Sequence, residues 1–407
     1  VSSPATPLRI VMATTSYPRW EGDHAGHFVA SLASSLAADG HGVTVVAPHA
    51  PGAVPAQETG GLRVRRVRYL PESWERLAYG SGIVPNLKRD PRAWVGVPAL
   101  RRALSREVRR AVRETRADVL HLHWAPTVLL AGAGKGELSG VPTVLTLHGT
   151  DAALGRRGGA FGRLLSAALD RVDAVIAVSG EQATHLRESG AWDGVLEVIP
   201  SGVPPSLFER PRKSREEGAP FTFVFVGRLI ESKGVLDLLD AFLQLDAARP
   251  DAARLVFAGS GPLEAQLRER AVARRPAGKV RFAGHLPHGE TLDAIWGADA
   301  LVLPSYGEGS PLVVTEALAL GTPVIATCVG AVPELVGGDG GTLIQPADVD
   351  ALATAMGAWV ADPESARRAG AAARVRVART HAWPILAQRT AEVYERVARP
   401  TPPSQVD

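Results

Sequence analysis

Residues 304–327 read Pro304-Ser-Tyr-Gly-Glu308-Gly-Ser310-Pro-Leu-Val-Val-Thr-Glu316-Ala-Leu-Ala-Leu-Gly-Thr-Pro-Val-Ile-Ala-Thr327. The apolar run Ala300–Leu303 just before them is strand-like, and the glycines at 307 and 309 end it. The spacing then predicts a helix from Pro311, a residue type favoured at the first helical position, with Ser310 as its N-cap. A second strand follows over Pro323–Ala326, which makes the whole a βαβ unit with parallel strands. The first backbone N–H groups of such a helix, at Leu312 and Val313, have no intrahelical partner and form a ready anion site beside the strand end. Glu308 sits in the turn and Glu316 inside the helix. Taken alone, two glutamates read as solvated side chains as readily as site residues, but the turn, cap and strand around them favour a site.

Working outward, the same alternation continues in both directions. In the first half the apolar runs are Leu8–Ala13, Val43–Ala47, Asp118–Leu122, Thr143–Leu147, Asp173–Val178 and Leu196–Pro200. The cycle restarts with Phe221–Val226, Arg254–Ala258 and Val280–Ala283, then the two strands above and Thr342–Ile344. Residues 204–220, rich in Pro, Arg, Lys and Glu, show no apolar periodicity and read as a linker. The fold class is therefore α/β. Two doubly wound, Rossmann-like domains, residues 1–203 and 221–381, are expected to face each other across a cleft, because such sheets bind ligands beyond their strand C-termini. A helix over 382–399 lies beyond the last strand, available to pack back on the first domain, and the Pro-rich residues 400–407 are expected to form a disordered tail.

The second domain opens with Phe225-Val-Gly227-Arg228-Leu-Ile-Glu-Ser-Lys233-Gly. Gly227 allows close backbone approach. Arg228 offers a bidentate fork and Lys233 a point charge, a pairing suited to a diphosphate; the plain alternative is two surface cations. Ala258-Gly-Ser-Gly-Pro-Leu263 and Ala283-Gly-His-Leu286-Pro287 end two further strands. Neither matches G-x-G-x-x-G, so a nicotinamide or flavin cofactor has little support. In the first half, Leu120-His-Leu-His123-Trp124 and Leu145-Thr-Leu-His148-Gly-Thr-Asp151 close two strands. His121 and His123 have a spacing that metal ligands use, but no third ligand accompanies them, and buried, satisfied imidazoles are the better reading. Asp348-Val-Asp350 has D-x-D spacing, yet it sits where a helix N-cap belongs. No metal is expected.

Composition bounds the rest. The chain has 407 residues, 45% hydrophobic and 21% charged, enough for two filled cores, and a formal charge of +3 that gives no argument for nucleic acid. Cys328 is the sole cysteine, which excludes a disulfide framework and suits a reducing, cytoplasmic setting. The first residues lack a secretory signal pattern, and no apolar run is long enough for a transmembrane helix.

In their order, these segments resemble the retaining GT-B glycosyltransferases of the group 1, or family 4, type. The match spans nearly the whole chain, from Ser16-Tyr-Pro and Gly26-His-Phe-Val, through His148-Gly-Thr-Asp151 and Gly227-Arg-Leu…Lys233-Gly, to Glu308-x7-Glu316 and Gly321-Thr-Pro-Val. The resemblance implies a nucleoside-diphosphate-sugar donor, no metal or other cofactor, and retention of anomeric configuration. It implies that Arg228 and Lys233 bind the diphosphate with the N–H groups of Leu312 and Val313. Gly26, Gly227, Leu286, Gly309 and Ser310 would complete the donor site. Glu316 would take the ribose, Glu308 the sugar hydroxyls, and His148 the transferred sugar, with His123, Trp124 and Asp151 on the acceptor side. Where relatives carry a glycine pair in the first loop, this chain has Ala25-Gly26. The rival classes are a nucleotide-sugar epimerase, for which no acid–base set assembles, and a non-catalytic binding protein, which needs no His148.

The acceptor is less legible. Arg101–Arg116 reads as a helix with Leu104, Val108, Ala111 and Thr115 along one stripe and seven arginines around the rest. Such a face suits an anionic membrane. The stripe lacks an aromatic or Leu-rich edge, so a soluble hydroxyl acceptor is the preferred expectation. Oligomeric state leaves no mark in the sequence.

Overall fold

The computed structural model describes residues 6–80, 82–133, 138, 140–149, 159–211, 216, 218–273 and 278–398. The chain divides into two compact units. One runs to Pro200 and takes in the chain from Trp383 onward; the other is Ser201–Ala382.

The first unit contains β1 (Arg9–Ala13), β2 (Gly42–Pro48), β3 (Ala56–Thr59), β4 (Leu62–Val67), β5 (Val119–His123), β6 (Thr143–Leu147), β7 (Ala174–Ala177) and β8 (Val195–Val198). They form one sheet in the order β3-β4-β2-β1-β5-β6-β7-β8. All neighbours pair in parallel except β3 and β4. That hairpin is absent from the sequence reading. Its strand β3 is exposed throughout and three of the six residues of β4 are Arg, so neither gives an apolar run. The signal was Gly60-Gly61, both at positive φ, between residues able to pair.

The second unit contains β9 (Phe221–Val226), β10 (Ala253–Ala258), β11 (Val280–Gly284), β12 (Ala300–Leu303), β13 (Val324–Thr327) and β14 (Gly341–Ile344). Their order, β11-β10-β9-β12-β13-β14, is the 3-2-1-4-5-6 arrangement of a doubly wound sheet. Its order reverses between β9 and β12, the place where such sheets bind ligands. In the first unit the corresponding point lies between β1 and β5. Phe221, Phe223, Phe225, Phe242 and Phe257 are buried in the second core. The described residues of segment 204–220 belong to this unit: Ser206–Glu209 is helical and Leu207 is buried in the same core.

Helix Trp383–Ala398 belongs to the first unit and lies against helix His27–Ala38. Trp383, Leu386, Ala387, Val393 and Tyr394 join the core that holds Met12, Val29 and Leu36. Arg389 donates to the Val198 carbonyl at 2.7 Å and Arg396 pairs with Glu197 at 2.9 Å, tying the helix to β8.

The arginine-rich helix is longer than its sequence stripe. It spans Ala93–Thr115, runs through Pro98, and ends where Arg116 takes a left-handed conformation. Leu100, Leu104, Val108, Ala111 and Val112 are its buried side. The early start puts Trp94 and Val95 on it, 60% and 53% exposed. The expected lack of an aromatic edge is thus corrected at this end.

Candidate functional site

In the second unit, the switch point brings the end of β9 beside the end of β12. Gly234, at φ 63°, makes the contact possible, because a Cβ there would lie 2.0 Å from the Pro304 carbonyl oxygen. The Tyr306 N–H donates to the Ser232 carbonyl at 2.9 Å, locking the two loops together. As a result Lys233 and Glu308, which the sequence assigns to different parts of a donor, meet directly. Lys233 Nζ lies 2.5 Å from Glu308 Oε1, and the Ser305 hydroxyl donates to the same oxygen at 2.6 Å. Ser305 is fully buried, and its carbonyl accepts from the Thr327 hydroxyl at 2.5 Å. Arg228, next to Gly227 at the end of β9, is exposed. Ser305 and Thr327 lie within the decisive stretch, but two hydroxyls in apolar surroundings gave no cue that they would carry Glu308.

The helix after this loop starts one residue later than its sequence suggests. It spans Leu312–Ala319 with Pro311 as N-cap, at φ −73° and ψ 108°, and no side chain caps it. Ser310 is therefore not the cap. Pro311 is extended, and its own carbonyl accepts from the Val314 N–H at 3.0 Å. Leu312 and Val313 remain the first helical N–H groups, and Gly309 is fixed through its carbonyl, which accepts from the Ala331 N–H at 2.9 Å.

Glu316 is not the solvated glutamate of the plain alternative, being only 8% exposed. Burial pushes its pKa up to about 7. His288, the first residue of helix His288–Gly297, places Nε2 3.5 Å from its carboxylate. Leu286, half-buried, leads into that helix, and its carbonyl accepts from the Thr291 hydroxyl at 3.3 Å. Asp348 caps helix Val349–Ala361 by accepting from the Ala351 N–H, which explains the D-x-D pair. Among the described residues no group of three or more His, Cys, Asp or Glu could hold a metal ion.

The first unit brings three histidines, His121, His123 and His148, together on adjacent strand ends. His121 and His123 are buried on β5. His121 Nδ1 lies 2.6 Å from the Tyr394 hydroxyl and Nε2 2.7 Å from the Thr146 hydroxyl. His123 Nδ1 lies 3.3 Å from His148 Nε2, while His123 Nε2 is buried without a partner among the described residues. Rings of Phe28 and Trp124 each lie 4.7 Å from that of His148. In these surroundings the imidazolium is disfavoured, and the pKa values of His121 and His148 fall to about 3. His123 is lowered too, chiefly by burial. His148 is thus a neutral hydrogen-bonding group. Trp124 holds φ 66°, rare outside glycine, at the start of helix Ala125–Ala131. Gly26, at φ 63°, starts helix His27–Ala38, where a Cβ would come 2.2 Å from the Ser16 carbonyl oxygen. Asp151 lies outside the described residues. Phe28 and Tyr394 were not expected here; Tyr394 comes from the far end of the sequence.

Comparison with known proteins shows the family. Residues 208–376 match the family described as glycosyl transferases group 1, and residues 25–207 match glycosyltransferase family 4. The chain is 32% identical to a glycogen synthase of Mycobacterium tuberculosis, over 95% of this chain and 94% of that one. It is 31% identical to a phosphatidyl-myo-inositol mannosyltransferase of Mycolicibacterium smegmatis, over 91% and 89%. Among solved structures, sucrose-phosphate synthase from Thermosynechococcus elongatus superposes with a TM-score of 0.74 at 22% identity, covering 96% of this chain and 99% of that one. The chain belongs to the group 1 and family 4 glycosyltransferases: it is an enzyme built of two Rossmann-like α/β domains in the GT-B manner, transferring a sugar from a nucleoside-diphosphate-sugar donor to an acceptor.

Proposed function

We propose that this enzyme moves a hexose-type sugar, with retention of anomeric configuration, to a hydroxyl of a small soluble acceptor. The observation that carries the reading is the join of β9 and β12, where Arg228, Lys233 and the N-terminus of helix Leu312–Ala319 follow the two strands that flank the switch point. Positive charge and free N–H groups there suit a departing diphosphate, whose charge grows in the transition state. Gly26, Gly227, Leu286, Gly309 and Ser310 complete the proposed donor contacts, Glu316 takes the ribose, and Glu308 the sugar hydroxyls. Neutral His148 would hydrogen-bond the transferred sugar, with His123 and Trp124 beside it. A retaining glycosidase needs two carboxylates around one anomeric carbon; here the loop offers Glu308, already engaged by Lys233. The C1–O bond to the diphosphate breaks, the acceptor oxygen bonds C1 on the same face, and its proton passes to the departing phosphate oxygen.

The test is product analysis with UDP-, GDP- and ADP-hexoses and a panel of polyols and aminocyclitols, in excess chelator. One nucleoside diphosphate should appear per glycoside, with the donor's anomeric configuration kept in the product's NMR couplings. An inverted linkage, or epimer formed without transfer, contradicts the reading.

One observation favours a lipid-linked acceptor as a second reading. Arg102, Arg106, Arg109 and Arg113 are exposed on helix Ala93–Thr115 with no carboxylate partner among the described residues, and Trp94 and Val95 are exposed near its start. The apolar patch is confined to that end, whereas an interfacial helix carries an apolar face along its length. No helix among the described residues is long and apolar enough to cross a membrane. The expected result is weak co-sedimentation with vesicles containing phosphatidylglycerol. Strong, salt-sensitive binding that is lost on replacing Arg102, Arg106 and Arg113 by glutamate would establish the lipid reading instead.

A further inference from the structure

The Glu316 side chain is an unusual object for the heart of a donor site. It is 10% exposed, and among the described residues no hydrogen-bond donor is placed on its carboxylate; the His288 imidazole at 3.5 Å is the one group within ion-pair range. A buried carboxylate with so little company is costly, whereas the protonated acid is tolerated. The neighbouring elements do not relieve it. The helix that carries Glu316 packs on helices Ser206–Glu209, His288–Gly297, Val332–Val336 and Pro363–Thr380. Of their charged groups, Arg374 is committed to the carbonyls of Phe208 and Arg210. Arg376 is committed to Asp339 and the carbonyls of Leu335 and Val336. Arg367, Arg368 and Arg379 are exposed, Glu209, Glu290, Asp293, Glu334 and Glu364 on those helices are acids and offer no counter-charge, and burial raises the pKa of Glu316.

We infer that nucleotide-sugar binding expels one proton from the Glu316–His288 pair, which makes His288 a positioning residue for the ribose contact. This rests on the proposed role of Glu316. Before a donor binds, the pair holds a proton that keeps the buried carboxyl neutral or paired. The two ribose hydroxyls then donate to both carboxylate oxygens, a charge-assisted arrangement available only to the ionised form. The proton leaves to solvent, no covalent bond changes, and His288 remains as the neighbour that sets how readily the proton departs. Affinity for the donor is then linked to pH through the carboxyl's own titration near 7. It rises as pH increases through that value and levels off above it.

The experiment uses the whole enzyme and UDP-glucose, whose two phosphates are both esterified and carry no proton near neutrality. GDP-glucose and ADP-glucose serve in the same way if the uridine compound does not bind. Calorimetry in two buffers of different ionisation enthalpy counts the protons released. About half a proton should be released at pH 7 and nearly one at pH 6, with affinity about tenfold weaker at pH 6 than at pH 8. Glu316→Gln should bind with no proton release and no pH dependence over that range. His288→Gln should still release a proton, but at a shifted midpoint. If Glu316→Ala binds like the wild type, the ribose assignment itself fails. If binding requires Glu316 yet no proton is released, the assignment stands and this inference is overturned. An unshifted midpoint in His288→Gln removes His288 from the pair.

Discussion

Lys233→Ala is expected to lower kcat by about 10²–10³-fold, the effect of removing one donor from a site that stabilises developing negative charge. The structure adds a second consequence. Lys233 is the cation on Glu308 Oε1, and the Glu308 side chain is only 8% exposed. Without Lys233 that carboxylate keeps, among the described residues, the Ser305 hydroxyl, so part of the loss will come from a loop that rearranges. Glu308→Gln separates the two effects. It removes the negative charge beside Lys233 while keeping an oxygen that can accept from it, so binding of a bare nucleoside diphosphate should hold or tighten while turnover falls. Steady-state kinetics with calorimetry on both variants checks this. Wild-type turnover in Lys233→Ala, or loss of nucleotide binding in Glu308→Gln, would show that the pair has been assigned wrongly.

The two units are expected to respond to pH in opposite directions. His121 and His148 have folded pKa values near 3, below the ordinary 6.5. The unfolded chain therefore binds more protons than the folded one below pH 6.5, and the first unit loses stability as pH falls through that value. At pH 5 each such imidazole costs about 2 kcal/mol, short of its full penalty because the folded pKa has not yet been reached. Glu316 works the other way. Its folded pKa of about 7 exceeds the ordinary 4.5, so the folded state binds more protons between those values. The second unit is then favoured at low pH and loses about 3 kcal/mol as pH rises through 7. Scanning calorimetry at pH 8 and pH 5 should show one transition moving down on acidification and the other up. Glu316→Gln should raise the second unit's transition at pH 8, and His123→Phe, which removes an imidazole nitrogen left without a partner among the described residues, should reduce the acid sensitivity of the first. Transitions that move together, or a first unit indifferent to acid, would mean that the imidazoles are solvated.

Sequence pattern revealed the strands with apolar runs and missed the one hairpin without them. β3 and β4 form at a sheet edge, where exposure allows charged residues and pairing is set by a glycine turn. Helix ends were less legible than helix existence, because Pro311 is extended and starts the helix one residue late, while Ala93 starts another well before its regular stripe. The glycines, cations and glutamates of the proposed donor loops announce themselves by residue type and by their place at strand ends. Their pairing does not, since Lys233 and Glu308 are 75 residues apart and meet only because β9 and β12 are neighbours. Burial of Glu316 is invisible for the same reason, as it depends on four helices from distant parts of the chain. The Tyr394 contact to His121 spans 273 residues and follows from a terminal helix returning to the first unit, which no local pattern encodes.

A crystal structure with UDP, or with whichever nucleoside diphosphate the product assay selects, tests the central claim most directly. The diphosphate should lie within hydrogen-bond distance of the Arg228 guanidinium, the Lys233 ammonium and the N–H groups of Leu312 and Val313, with both ribose hydroxyls on Glu316. A nucleotide seated away from the β9–β12 switch point, or a diphosphate held without Arg228 and Lys233, would contradict the account.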